Sequence, residues 1–180
     1  MSTRTAVRRT VLAVPGSSDR FIAKARTLPV DALFLDLEDA VAPAVKEASR
    51  QRIVEALNDP AGFQAPTVTV RVNDWTPQWT YADVIEVVTG AGARVDALVL
   101  PKCTSAAQVK ALDLLLTQVE QAAGLPVGRI EIEGWGLKSS FLKALRTPAI
   151  EIYAAVRDTL LDQVLKTFDL EERIARIMHL

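Results

Sequence analysis

Residues Ala32–Pro43 read Ala-Leu-Phe-Leu-Asp-Leu-Glu-Asp-Ala-Val-Ala-Pro, and this stretch decides the fold. Ala32–Leu37 is a short apolar run of the kind that forms a buried strand, and three acids cluster at its end. Pro43 then stands where a helix can begin, and Val45, Ala48, Ile53 and Leu57 follow at helical spacing to about Asn58. The same unit recurs on both sides. Upstream, Thr10–Val14 reads as a strand ended by Pro15-Gly16, and Ser17, Ser18 or Asp19 can cap a helix running to about Leu28. Downstream come a β-branched strand at Thr67–Val72, a helix at Tyr81–Thr89 closed by Gly90 and Gly92, and a strand at Ala97–Leu100. A long helix over Ser105–Ala123 and a fifth strand at Arg129–Ile132 complete the series. Parallel neighbours need a long return connection, so strands alternating with helices predict an α/β fold with a parallel sheet. The apolar character of the runs on both faces predicts helices covering the sheet on each side.

Composition agrees with a single folded unit. The chain has 180 residues, 49% hydrophobic and 24% charged, with a formal net charge of −1. No global field favours nucleic acid or an anionic membrane, and aromatics at 6% are too sparse for a base-stacking surface. The single cysteine, Cys103, cannot form an internal disulfide. Arg4, Arg8 and Arg9 precede an apolar run that Pro15-Gly16 ends at once, well short of the about 7–15 residues of a signal peptide. A cytoplasmic protein is expected, with no membrane span and no nucleic-acid partner.

After about residue 133 the rhythm changes. Lys138–Leu145 reads as helix, and Thr147-Pro148 starts another whose apolar stripe is Ile150, Tyr153, Val156, Leu160, Val164 and Phe168. Residues 1–133 therefore read as an α/β unit and 134–180 as a helical tail. That stripe and the open edges of a five-stranded sheet predict self-association into a homo-oligomer.

In parallel α/β folds ligands sit at the carboxyl ends of the strands. There the first strand offers Gly16 and Ser17 at a helix start, with Arg20 and Lys24 one turn on. The second offers Asp36, Glu38 and Asp39, the third Arg71 and Asn73, the fourth Lys102, and the fifth Glu131 or Glu133. Arg71 follows Thr-Val-Thr-Val, an apparent core strand where a guanidinium needs a partner. His179, the single histidine, is poorly placed to be a base, which argues against Ser-His or Cys-His chemistry. Acids on the second strand and a guanidinium on the third suggest an anionic small molecule, with a divalent cation held by carboxylates.

Four motifs in order carry a resemblance. They are Arg9-Thr-Val-Leu-Ala-Val-Pro-Gly-Ser17, Asp36-Leu-Glu-Asp-Ala-Val-Ala-Pro43 with Lys46, Val70-Arg-Val-Asn73, and Leu100-Pro-Lys102. This set resembles the HpcH/HpaI aldolase and citrate lyase β-subunit family, in its CoA-ester lyase branch. Asn73-Asp74-Trp75-Thr76 and Trp79–Val84 resemble its malyl-CoA lyase-like members. The resemblance covers about residues 8–130.

It implies a TIM barrel and a Mg²⁺-dependent lyase that cleaves a 3-hydroxydicarboxylyl-CoA to acetyl-CoA and a 2-oxoacid. In that picture Arg71 holds substrate and steadies the thioester enolate, and Asp36 and Glu38 serve catalysis beside it. Gly16, Ser17, Arg20, Lys24, Asn73 and Lys102 bind substrate or CoA, and Asp39 and Glu133 are the carboxylates left for metal. Aligned on Ile132-Glu133, the family's fifth-strand Mg²⁺ ligand falls on Leu137, and the next metal carboxylate has no counterpart. A barrel of eight strands typically takes about 250 residues, so five strands cannot close one. The two expectations are an active CoA-ester lyase and a truncated, non-catalytic half-barrel that binds CoA or a protein partner.

Overall fold

A computed structural model describes residues 8–135. Five parallel strands alternate with four α-helices: β1 (Val11–Pro15), α1 (Asp19–Ala25), β2 (Ala32–Asp36), α2 (Lys46–Asn58), β3 (Thr67–Arg71), α3 (Thr80–Ala91), β4 (Ala97–Leu100), α4 (Ala106–Ala122) and β5 (Glu131–Gly134). Short 3₁₀ turns at Pro43–Val45 and Gly92–Arg94 adjoin α2 and α3. The strands pair strictly in chain order, β1-β2-β3-β4-β5. A right-handed crossover repeated without reversal carries every helix to the same side, which is the winding of a barrel segment.

That winding corrects one expectation. The described helices do not cover both faces. Leu33, Leu35, Val70, Val72, Leu98 and Leu100 lie in the helix-facing core with Ile22, Ile53, Val84, Val88, Leu112 and Leu116. Alternation sends Phe34, Asp36, Thr69, Arg71 and Val99 to the opposite, concave face. There the Phe34 and Trp135 rings meet edge to face, 4.9 Å between centroids, and the Arg71 guanidinium lies 5.1 Å from the Phe34 centroid.

Two boundaries and one helix face differ from the sequence reading, each for a local reason. The first helix ends at Ala25 rather than Leu28: beyond it the Thr27 and Leu28 amides reach back only three residues, to the Lys24 and Ala25 carbonyls at 3.4 Å. The fifth strand begins at Glu131 rather than Arg129. The buried Glu120 carboxylate accepts the Gly128 and Ile130 amides, so these cannot join the ladder. In α2 the apolar spacing misjudges the buried face. Val45 and Ala48 are exposed, while Lys46, Ser49 and Arg50 turn inward beside Ile53, Ala56 and Leu57. No helix among the described residues is long and apolar enough to cross a membrane. The Leu137 position and the helices expected beyond it lie outside the described residues.

Candidate functional site

Register assembles the site. Pro15, Asp36 and Arg71 are lateral neighbours on β1, β2 and β3, and Arg71, Val99 and Glu133 continue the row across β4 and β5. The second and third strands therefore end side by side, with a carboxylate against a guanidinium. Arg71 Nε donates to Asp36 Oδ1 at 2.8 Å and Nη2 to Asp36 Oδ2 at 2.6 Å, a bidentate pair. Asp36 is fully buried and also accepts the Glu38 and Ala40 amides, at 2.8 and 3.1 Å. These bonds bend the chain after β2 and saturate the carboxylate. The Asp36 contact raises the Arg71 pKa further above its already high value.

Glu38 lies across from this pair. Its Oε2 is 3.1 Å from Arg71 Nη1 and its Oε1 is 2.8 Å from Lys102 Nζ. Neither approach has hydrogen-bond alignment, so both oxygens are buried without a hydrogen bond among the described residues. Lys102 Nζ donates to Asp39 Oδ1 at 2.9 Å and stands 3.9 Å from Asp74 Oδ2. Glu38 and then Asp39 drive the Lys102 pKa well above the usual lysine value, and Lys102 in turn lowers that of Asp39. Lys102 has φ +51°, the one non-glycine residue with positive φ among those described. Such backbone strain collects at functional sites.

Gly16 belongs to this floor for steric reasons. Its amide donates to the Asp36 carbonyl at 2.9 Å, and a Cβ there would fall 2.5 Å from Ile53 Cδ1 and 2.7 Å from that same carbonyl oxygen. Ser17 is partly buried beside it, while the α1 cap is Ser18, whose Oγ accepts the Phe21 amide. Arg20 and Lys24 are exposed, Arg20 resting 5.0 Å from the Phe21 ring centroid.

Two expectations change. Asn73 is 2% exposed, and its side chain is spent internally: Oδ1 accepts from Lys46, and Nδ2 donates to the Leu37 carbonyl and to Asp83. It is a fastener between loops, with no amide hydrogen left for substrate. Asp39 and Glu133 do not come together as metal ligands. Asp39 is held by Lys102, and Glu133 forms an ion pair with Arg8. Among the described residues no three His, Cys, Asp or Glu side chains gather to hold a metal. With Asp36 and Glu38 both facing cations, the described residues do not form a magnesium cage.

The sequence reading missed Lys46, Arg50 and Asp83 as partners in one buried network. Their signal was present: polar residues at the buried phase of two amphipathic helices need partners, and here they find one another.

A family model described as HpcH/HpaI aldolase/citrate lyase matches residues 9–160. The chain belongs to that family. The match extends about 30 residues beyond the stretch near residue 130 where the sequence resemblance ends. Cereibacter sphaeroides L-malyl-CoA/β-methylmalyl-CoA lyase is 40% identical over 111 residues, 61% of this chain and 34% of that protein. Escherichia coli citrate lyase subunit β is 34% identical over 125 residues, 69% of this chain and 40% of its own length. The chain thus spans between a third and two fifths of these curated relatives. The fold is shared with Haloferax volcanii malate synthase in its magnesium/glyoxylate complex. The TM-score is 0.66 at 21% identity, covering 74% of this chain and 43% of the synthase.

Proposed function

We propose that these strands form the substrate-anion side of a carbon–carbon lyase that cleaves a malyl-CoA-like 3-hydroxydicarboxylyl-CoA. The single observation that carries the reading is the Asp36–Arg71–Glu38 constellation. A guanidinium has five N–H groups; Asp36 takes two by hydrogen bonds, Glu38 faces Nη1 as an ion pair at 3.1 Å, and Arg71 keeps 17% of its side chain exposed. Among the described residues nothing bonds the remaining donors, which suit a carboxylate or a thioester oxygen.

In the reaction the 3-hydroxyl loses its proton as the carbon–carbon bond breaks. The electron pair moves onto the thioester as an enolate, and the oxygen-bearing fragment leaves as a 2-oxoacid. Protonation of the enolate carbon gives acetyl-CoA. Arg71 is charged throughout and held rigid by Asp36, so it stabilises the enolate oxygen without reorganising. Asp36, saturated and buried, orients Arg71. Glu38, its carboxylate set between Arg71 and Lys102, is the acid positioned beside the reacting groups. The exposed Arg20 and Lys24 suit the CoA phosphates.

Magnesium belongs to this reading through the family resemblance and the magnesium/glyoxylate complex of the malate synthase that shares the fold, and its carboxylate ligands would come from outside residues 8–135. The division at residue 133, a cytoplasmic setting and self-association complete it.

The test is release of acetyl-CoA from malyl-CoA by the purified full chain, with and without Mg²⁺ and with Arg71→Ala. Turnover that the substitution abolishes supports the reading. Folded wild-type protein that binds CoA but releases nothing would replace it with a non-catalytic CoA-binding half-barrel.

A further inference from the structure

Lys46, the first residue of α2, is 4% exposed, and its ammonium has three acceptors for its three N–H groups. They are the Leu37 carbonyl at 2.6 Å, the Glu38 carbonyl at 2.9 Å and Asn73 Oδ1 at 2.8 Å. The Trp79 ring closes the cage, its centroid 4.9 Å from Nζ. Two of the acceptors are consecutive carbonyls of the acidic loop, flanking the Cα that bears the Glu38 side chain. Asn73 is itself anchored, because Asp83 Oδ2 accepts both its backbone amide (2.9 Å) and its Nδ2 (2.6 Å). Asp83 Oδ1 accepts from Arg50 Nε at 2.7 Å, and Arg50 Nη1 reaches Glu86 at 3.0 Å. A buried polar chain thus runs from α3 through the loop after β3 to α2 and the loop after β2.

Stability does not explain this arrangement. Burial pulls the Lys46 pKa down, opposed by the charges of Asp83, Asp36 and Glu38. Well-packed apolar side chains in place of buried ions are often at least as stable. An ammonium can, however, draw two carbonyls to one point, and a methyl group cannot.

We propose that Lys46 is a positioning residue: by fixing the Leu37 and Glu38 carbonyls against Asn73, it holds the Glu38 carboxylate between Arg71 and Lys102. The bearing of this on an incoming anion rests on the function proposed above; the positioning of Glu38 and Asp39 on Lys102 does not. Lys46 itself is too deeply enclosed to touch substrate.

The experiment uses Lys102 as the reporter. Its half-exposed amine is held protonated by Glu38 and Asp39, so it acylates slowly. Competitive labelling of the full-length protein with acetic anhydride, read by peptide mass spectrometry, compares Lys102 with the exposed Lys24. In Lys46→Met, with unchanged far-UV circular dichroism, Lys102 acylates about tenfold faster, the equivalent of one pKa unit. Lys46→Arg does not rescue, since a planar fork cannot meet three acceptors converging on one point. Arg26→Met removes two buried-side bonds to Gly62 and Ala56, remote from the site, and leaves Lys102 slow. A Lys102 rate in folded Lys46→Met equal to wild type overturns the proposal. If Lys46→Met does not fold, Asp83→Asn is labelled instead; about a threefold acceleration is expected from a loss of half a pKa unit, and none overturns the proposal.

Glyoxylate, the ligand named with the malate synthase, serves as the anion probe by titration calorimetry. Its Kd rises about tenfold in Lys46→Met, an affinity step of one decade. A faster Lys102 in a protein whose wild type ignores glyoxylate sustains the positioning and removes the substrate reading. An unchanged Kd with an unchanged Lys102 removes the positioning alone.

Discussion

The loop after β1 and the loops after β2, β3 and β4 lie at the same end of the sheet, yet they treat positive charge in opposite ways. After β1, Arg20 and Lys24 stand exposed on a short helix, and the chain's precision goes into backbone: Gly16 lies where a Cβ would strike the Asp36 carbonyl. After β2, β3 and β4, cations and acids are packed together, with Arg71, Lys102 and Lys46 each bonded to two or more oxygens. Solvated charges need no fixed partner, and a buried one must have its oxygens in place before any ligand arrives. Under the proposed function, the first loop would take a mobile polyanion and the second a small anion held in one geometry.

The comparison breaks most visibly at Arg71. Arg71→Met leaves Asp36 buried and uncompensated, and urea unfolding should show a loss of about 3–5 kcal/mol. A loss below about 1 kcal/mol would mean that Asp36 is not committed to this pair. Next is the backbone of the first loop. Gly16→Ala should cost about 1–3 kcal/mol by thermal melting, as overpacking does. Adding Ile53→Val should recover only part of it, because the Asp36 carbonyl remains in the way.

Smaller effects sharpen the contrast. Arg20→Ser and Lys24→Ser should leave stability within about 0.5 kcal/mol. Under the proposed function each raises the Kd for CoA about twofold to fivefold, from the ~0.2–1 kcal/mol of an exposed ion pair. The smallest effect is Asp39. Lys102 lowers its folded pKa, so the Lys102–Asp39 contact stabilises above the ordinary carboxylate pKa and is lost as pH falls through the folded value. A carboxyl carbon NMR titration should place the Asp39 midpoint below that of an unpaired aspartate, and Lys102→Met should move it upward.

Much of this was legible in the chain. The apolar runs and their spacing led to parallel strands and crossover helices, because burial on a pleat or a helix imposes a period that sequence displays directly. Arg71 was legible in part: a guanidinium inside a β-branched strand has to be partnered, but the sequence pointed to a substrate carboxylate as the partner, and the structure supplies Asp36. Asn73 and Lys46 were not separable by such reasoning. Both sit in motifs, but whether an amide faces a ligand or a neighbouring loop depends on where α3 delivers Asp83, ten residues on in sequence and bonded directly to Asn73.

By itself the sequence determined the element types, their order and the residue chemistry available at the strand ends, since local period and side-chain type are properties of the chain alone. Only the tertiary structure decided which charges meet. The register that sets Asp36 beside Arg71, the helix phase that turns Lys46 and Arg50 inward, and the Glu120 bonds that delay β5 all join residues of different elements. Their pairing follows from the free energy of desolvating charge, which depends on what surrounds a group in space and not on its neighbours along the backbone.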